Sequence, residues 1–199
     1  MADQIDVTKI QEAVRKKYAE VSNTATGKFN YPTGRDGAIL QGYDPAVIQS
    51  MPDELIRSFC GVGNPFTLGA INSGETILDV GCGAGFDLIV ASRMVGQNGN
   101  VCGIDLTPEM AEKAKSNLKQ YGVQNFDVQV AGAESIPYPD STVDVVISNG
   151  VLNLSPLKER SFREIYRVLR PNGRLQFADI ILKEDCAGAM CSTLEAWSN

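Results

Sequence analysis

A chain of 199 residues is long enough for one well-buried domain and too short for two of ordinary size. Its 18 Lys+Arg against 24 Asp+Glu leave a formal net charge of -6, the opposite of the basic footprint that phosphate backbones select, so nucleic acid is not an expected partner. Histidine is absent, which removes Ser-His-Asp and Cys-His mechanisms, most zinc sites and the commonest general base near neutral pH.

The first seventeen residues, MADQIDVTKIQEAVRKK, contain early acids and no apolar core of the signal-peptide kind. No stretch reaches the roughly 18 apolar residues of a membrane span. A cytoplasmic protein is therefore expected, and an odd number of cysteines, five, fits reduced thiols there. Residues 8–22 set Ile10, Val14 and Tyr18 at helical spacing with charges between them, which predicts an amphipathic helix. Residues 23–42 are rich in Gly, Thr and Asn without periodicity and read as a loop or lid; residues 45–59 read as a second short helix. Residues 1–60 thus form an N-terminal helical or lid segment ahead of a main domain over 61–199.

From Glu75 the patterns alternate. Strands are predicted over 76–80, 100–105, 126–130, 143–148 and 174–181, with helices over 86–95, 108–121 and 156–169. Such alternation implies right-handed βαβ units, so the expected fold class is α/β, a doubly wound and mostly parallel sheet. The first strand runs into DVGCGAG, with Asp79 before Gly81, Gly83 and Gly85. Glycines there allow positive φ and close approach of a ligand to the N–H groups opening the next helix. A dinucleotide fingerprint would need Gly or Ala where Phe86 stands, and Asp79 is a poor neighbour for a pyrophosphate. A carboxylate at that point suits a ligand that brings a cation.

Four motifs in order, DVGCGAG, Gly103-Ile-Asp105, Gly132-Ala-Glu134-Ser-Ile-Pro137 and Ser148-Asn-Gly-Val151, each end a predicted strand. Together they resemble the cofactor motifs of class I S-adenosylmethionine (SAM)-dependent methyltransferases over roughly residues 61–182. The resemblance implies that Gly81, Cys82, Gly83 and Gly85 pass under the cofactor, with Asp79 near its ammonium. It also implies that Asp105 takes the ribose hydroxyls, that Leu106, Met110, Ala133 and Glu134 surround adenine, and that Ser148 and Asn149 border the methionine end. Cys82 and Cys102 also read as small packing residues. No metal site is expected.

The stretches VGNPFTLG, VGQNGNVCGIDLTPEM and VISNGVLNLSPLKERSFREIYRVLRPNGRL are similar to arsenite methyltransferases and their bacterial homologues. That family's chemistry uses cysteines, and this chain departs from it. Val62 stands at one thiol position, Gly150 at a second, and the third would follow shortly after Trp197. A relocated thiol site would have to draw on Cys60, Cys186 and Cys191. The resemblance implies two further sheet strands, for which this sequence has no room. Transfer to a small-molecule acceptor is the leading reading. A SAM-binding protein without catalysis and a true arsenite methyltransferase with relocated cysteines are the alternatives, and a nucleotide-dependent oxidoreductase is a distant third. If a base is needed, Tyr18, Tyr31, Tyr43 and Asp44 are the candidates.

Overall fold

The computed structural model describes residues 6–181. Helix α1 (Val7–Val21) starts where the Asp6 carboxylate accepts the Thr8 N–H at 2.9 Å, and it buries Ile10, Val14 and Val21. The region read as a loop carries one short helix, α2 (Gly34–Leu40). The helix expected over 45–59 is two pieces, α3 (Pro45–Ser50) and α4 (Asp53–Ile56). The break has a local cause: Pro52 drives Met51 into extended backbone, at ψ 133°, and offers no N–H to continue α3.

Among the described residues five strands follow, β1 (Thr76–Val80), β2 (Asn100–Asp105), β3 (Phe126–Val130), β4 (Val143–Asn149) and β5 (Leu169–Ala178). They form one sheet in the order β3-β2-β1-β4-β5, with every pairing parallel. Helices α5 (Phe86–Val95), α6 (Pro108–Gln120) and α7 (Lys158–Val168) make the crossovers. Strand β5 begins earlier than its sequence pattern indicates. Leu169 pairs with Val143, residues 170–173 bulge out with Asn172 at φ 68°, and pairing resumes at Arg174 opposite Val145. Pairing ends at Ala178, and just beyond it the Asp179 carboxylate accepts the N–H groups of Asn153 and Ile180, both at 2.8 Å.

Alternate residues of the strands feed two cores, as the pleat requires. Ile77, Val101, Val145 and Ile147 join Leu88 of α5 and Leu118 of α6 on one face. On the other, Leu78, Val80, Ile104 and Val146 meet Ile165 and Val168 of α7. The first core also takes in Tyr43, Ile48, Leu55, Ile56 and Phe59, so the N-terminal segment shares its apolar interior with the sheet. No helix among the described residues is long and apolar enough to cross a membrane. Cys186, Cys191 and Trp197 lie outside the described residues.

Leu88 is fully buried against the sheet, and its truncation leaves a cavity. Leu88→Ala is expected to lower unfolding free energy by about 2–5 kcal/mol in urea titrations. A loss under about 1 kcal/mol would mean that α5 is not packed as described.

Candidate functional site

The turn between β1 and α5 is held from two sides. Gly81 and Cys82 direct their N–H groups to the carbonyl of Ile104, at 2.8 and 2.9 Å. The Gly83 N–H donates to one Asp105 carboxylate oxygen at 2.9 Å, and the Thr107 N–H to the other at 2.8 Å. Asp105 therefore fastens the turn to the connection that opens α6. Gly81 has φ 79°, and a Cβ added there would meet the Val151 side chain at 2.3 Å. Neither the backbone conformation nor the space admits a side chain.

A cleft of about 1040 Å³, open solvent at its mouth included, lies at the C-terminal ends of the strands. Open parallel sheets bind ligands at that end. Asp79, Gly81, Cys82 and Gly83 border it from the turn, and Asp105, Leu106 and Met110 from the β2–α6 connection. Ala133 and Glu134 border it after β3, and Asn149 at the end of β4. Two residues singled out in the sequence stand back from it. Ser148 is 1% exposed and donates its hydroxyl to the Val80 carbonyl at 2.9 Å, tying β4 to β1. Gly85 is the point where the turn rests on Ala114 of α6, 3.2 Å from where its Cβ would be.

The cleft is acidic at its base. Asp79, Asp87 and Asp105 are 2%, 6% and 9% exposed. Burial pushes the Asp79 carboxyl well above the usual carboxylate range, and the neighbouring Asp87 and Asp105 push it further. No hydrogen bond from a described residue reaches that carboxylate. Asp87 is raised by burial to about 6, against the opposing hydrogen bonds from Tyr43 and Asn149. Asp105 is raised by burial too, while the N–H groups of Thr107 and Gly83 oppose the rise. Glu134 is anchored differently: it accepts the Ser155 hydroxyl at 2.6 Å.

The sequence motifs assign Asp87 no role and offer Tyr43 as a candidate base. The Tyr43 hydroxyl donates to Asp87 at 2.7 Å, and burial holds its pKa well above the ordinary phenol value. The Asn149 amide nitrogen lies 3.1 Å from Asp87, 3.0 Å from the Tyr43 hydroxyl and 2.9 Å from the Gly63 carbonyl. Its oxygen accepts the N–H groups of Val62 and Gly63 at 2.8 and 3.1 Å. One signal for Asp87 was present in the sequence: an acid amid Phe86, Leu88, Ile89, Val90 and Ala91 sits on a stretch of helix that is buried on every side. Of the other base candidates, Asp44 is an exposed helix cap, Tyr31 donates to the Cys60 carbonyl at 3.0 Å, and Tyr18 lines the cleft.

The family model described as a methyltransferase domain matches residues 71–199. The chain belongs to the methyltransferase family. Its parallel sheet with helices on both faces is the class I arrangement. An arsenite methyltransferase of Halobacterium salinarum is 36% identical over 190 residues, covering 88% of this chain and 48% of the relative. A SAM-dependent methyltransferase structure from Aquifex aeolicus superposes with a TM-score of 0.58 at 25% identity, covering 91% of this chain and 77% of that one. A structure of an arsenic(III) S-adenosylmethionine methyltransferase from Chlamydomonas reinhardtii gives a TM-score of 0.58 at 31% identity, over 83% of this chain and 56% of that one. The chain spans about half the length of the curated arsenite methyltransferases it matches.

In this chain the two positions that lack the expected thiols are neighbours. A Cβ on Gly150, which has φ 74°, would lie 3.3 Å from a methyl of Val62. Cys60, the nearest cysteine in sequence, is a free thiol that burial pushes up to about 12, so it is protonated at neutral pH. Cys82 is buried and packs toward Gly103, 2.9 Å from where that glycine's Cβ would stand.

The raised carboxyls fix the sign of a pH effect. A carboxyl that holds its proton more tightly folded than unfolded contributes most to stability below the unfolded pKa, and the contribution is lost as pH rises through the folded value. For Asp87 that window runs from the ordinary 3.8 to about 6. The unliganded protein is expected to lose melting temperature between pH 4 and 6.5, and Asp87→Asn to flatten the profile across that range. A variant profile parallel to the wild type would show that Asp87 is not the buried acid responsible.

Proposed function

We propose that the cleft holds S-adenosylmethionine and that the chain passes its methyl group to a small-molecule acceptor. The buried Asp79 carboxylate carries this reading. It has no hydrogen-bond donor from any described residue, two further carboxylates lie near it, and it faces the glycine turn at the sheet's C-terminal end. An unpaired buried charge of this kind is costly until a cation meets it. Membership of the methyltransferase family and the SAM-dependent relatives support the same choice of ligand.

When bound, the cofactor supplies an electrophilic methyl on a sulfonium. Asp79 would pair with the α-ammonium. Asp105 would take the ribose hydroxyls on the lone pairs left by Gly83 and Thr107. Leu106, Met110 and Ala133 would flank adenine, with the Glu134 oxygen that Ser155 does not hold near its amino group. Residues 1–60 would cover the cofactor, with 61–199 as the methyltransferase domain proper. The Tyr18 hydroxyl, which burial keeps neutral, would orient an acceptor as a hydrogen-bond donor without removing its proton. That arrangement suits a soft nucleophile aligned with the methyl and shielded from water.

Arsenite is the substrate named for the relatives, and the lack of a thiol at the neighbouring positions Val62 and Gly150 argues against a thiolate site for it here. The experiment is a titration with SAM, followed by transfer of its labelled methyl to arsenite in excess thiol. Saturable binding is expected, weakened about tenfold or more in Asp79→Asn, since a charged hydrogen bond contributes about 1.5–3 kcal/mol. No methylated arsenic is expected. Undiminished binding by Asp79→Asn would refute the charge reading; methylated arsenic would show that another set of cysteines serves.

A further inference from the structure

The Tyr43 side chain joins parts of the protein that are far apart in sequence. It is 4% exposed, and its ring packs edge-on against Phe59, Phe66 and Phe86 with centroids 5.5, 6.3 and 5.0 Å away. The aromatic contacts account for the ring and leave the hydroxyl to be explained. Its single proton goes to Asp87 at 2.7 Å, the shorter and charged partner, while the Gly63 carbonyl stands at 3.3 Å. Its lone pair faces the Asn149 amide nitrogen at 3.0 Å. Asn149 in turn grips the backbone of Val62 and Gly63 through three hydrogen bonds. The fit leaves no slack: a Cβ on Gly61 would stand 2.3 Å from the Asn149 amide nitrogen and 2.8 Å from the Phe59 ring.

Asp87, Gly61 and Asn149 all border the cleft. We propose that Tyr43 is a positioning residue whose hydroxyl, set between Asp87 and Asn149, latches residues 58–63 against the first turn of α5 and the end of β4 and so builds one wall of the ligand cleft. Two consequences follow. The latch fixes the wall to an acid at the base of the cleft, so the N-terminal segment and the ligand's charge are linked through Asp87. It also supplies one of the two hydrogen bonds that hold Asp87 ionised, the other coming from Asn149. The remaining titratable groups around Asp87 are Asp79 on β1, with Asp105 behind it, and the thiol of Cys60.

This inference rests on the cofactor reading for its ligand, so its test includes a measurement made without ligand. Tyr43→Phe keeps the ring and removes only the hydroxyl. Phe66→Leu, which loosens the same aromatic cluster without touching the hydroxyl, serves as the packing control. The first measurement is limited trypsin cleavage of the unliganded protein after Lys28, Arg35 and Arg57. Tyr43→Phe is expected to be cut several-fold faster than wild type, and faster than Phe66→Leu when each variant is assayed at the same interval below its own melting temperature. The second is the affinity for S-adenosylhomocysteine as a function of pH. Tyr43→Phe is expected to bind about tenfold more weakly at pH 8. The pH below which its affinity changes should move upward, because Asp87 has lost a donor to its charged form. Phe66→Leu should keep the wild-type pH dependence.

Equal cleavage of Tyr43→Phe and Phe66→Leu would overturn the latch and leave Tyr43 as packing alone. Faster cleavage with a wild-type pH profile would overturn the link to Asp87. Absence of S-adenosylhomocysteine binding in the wild type would refute the cofactor reading and the ligand half of this inference with it, while the cleavage result would still decide the latch.

Discussion

Three carboxylates share the buried base of one cleft, and each is there for a different backbone reason. Asp79 lies on the central strand one residue before its end, Asp105 ends the neighbouring strand, and Asp87 sits in the first turn of the helix that follows the glycine turn. A parallel sheet brings the ends of adjacent strands together, so the first two acids become neighbours as soon as β1 and β2 pair in register. The turn then folds the third back toward them. Like charges at low exposure repel and lose hydration, and no Lys or Arg among the described residues lines the cleft to compensate. The protein divides the cost. Asp105 takes two backbone N–H groups, Asp87 takes Tyr43 and Asn149, and Asp79 is left for a ligand.

The same division explains why the N-terminal segment is not a separate body. Its apolar residues complete the core on one face of the sheet, and its polar contacts end on the residues that compensate Asp87. A change in the charge at the cleft base therefore bears on the packing of the segment that covers it. Helix α1 adds Gln11, Val14 and Tyr18 to the cleft wall.

Local pattern made the sheet readable because its strands are short apolar runs between turn residues, and β1, β2 and β3 begin and end where those runs do. The start of β5 was hidden because pairing of Leu169 with Val143 and the bulge after it depend on a partner strand, not on the segment's own composition. The division of α3 from α4 was readable in principle from Pro52. For the cleft, the motif residues Asp79 and Asp105 were legible because a glycine turn and an acid at a strand end have few structural uses. Gly85 and Ser148 belong to the same motifs yet serve packing and strand pairing, a distinction that no motif carries. Tyr43 and Asn149 act across 106 residues of sequence, and such contacts leave no periodic trace.

The central claim is that the acids at the base of the cleft recognise a cationic ligand by its charge. The most direct measurement compares calorimetric binding, at pH 8, of S-adenosylhomocysteine and an analogue that lacks only its α-amino group. The account predicts that removing the ammonium weakens binding by about tenfold or more, in keeping with loss of a charged hydrogen bond to a buried carboxylate. Equal affinity for the two molecules would contradict it, and would leave the buried, unpartnered carboxyl of Asp79 without a function.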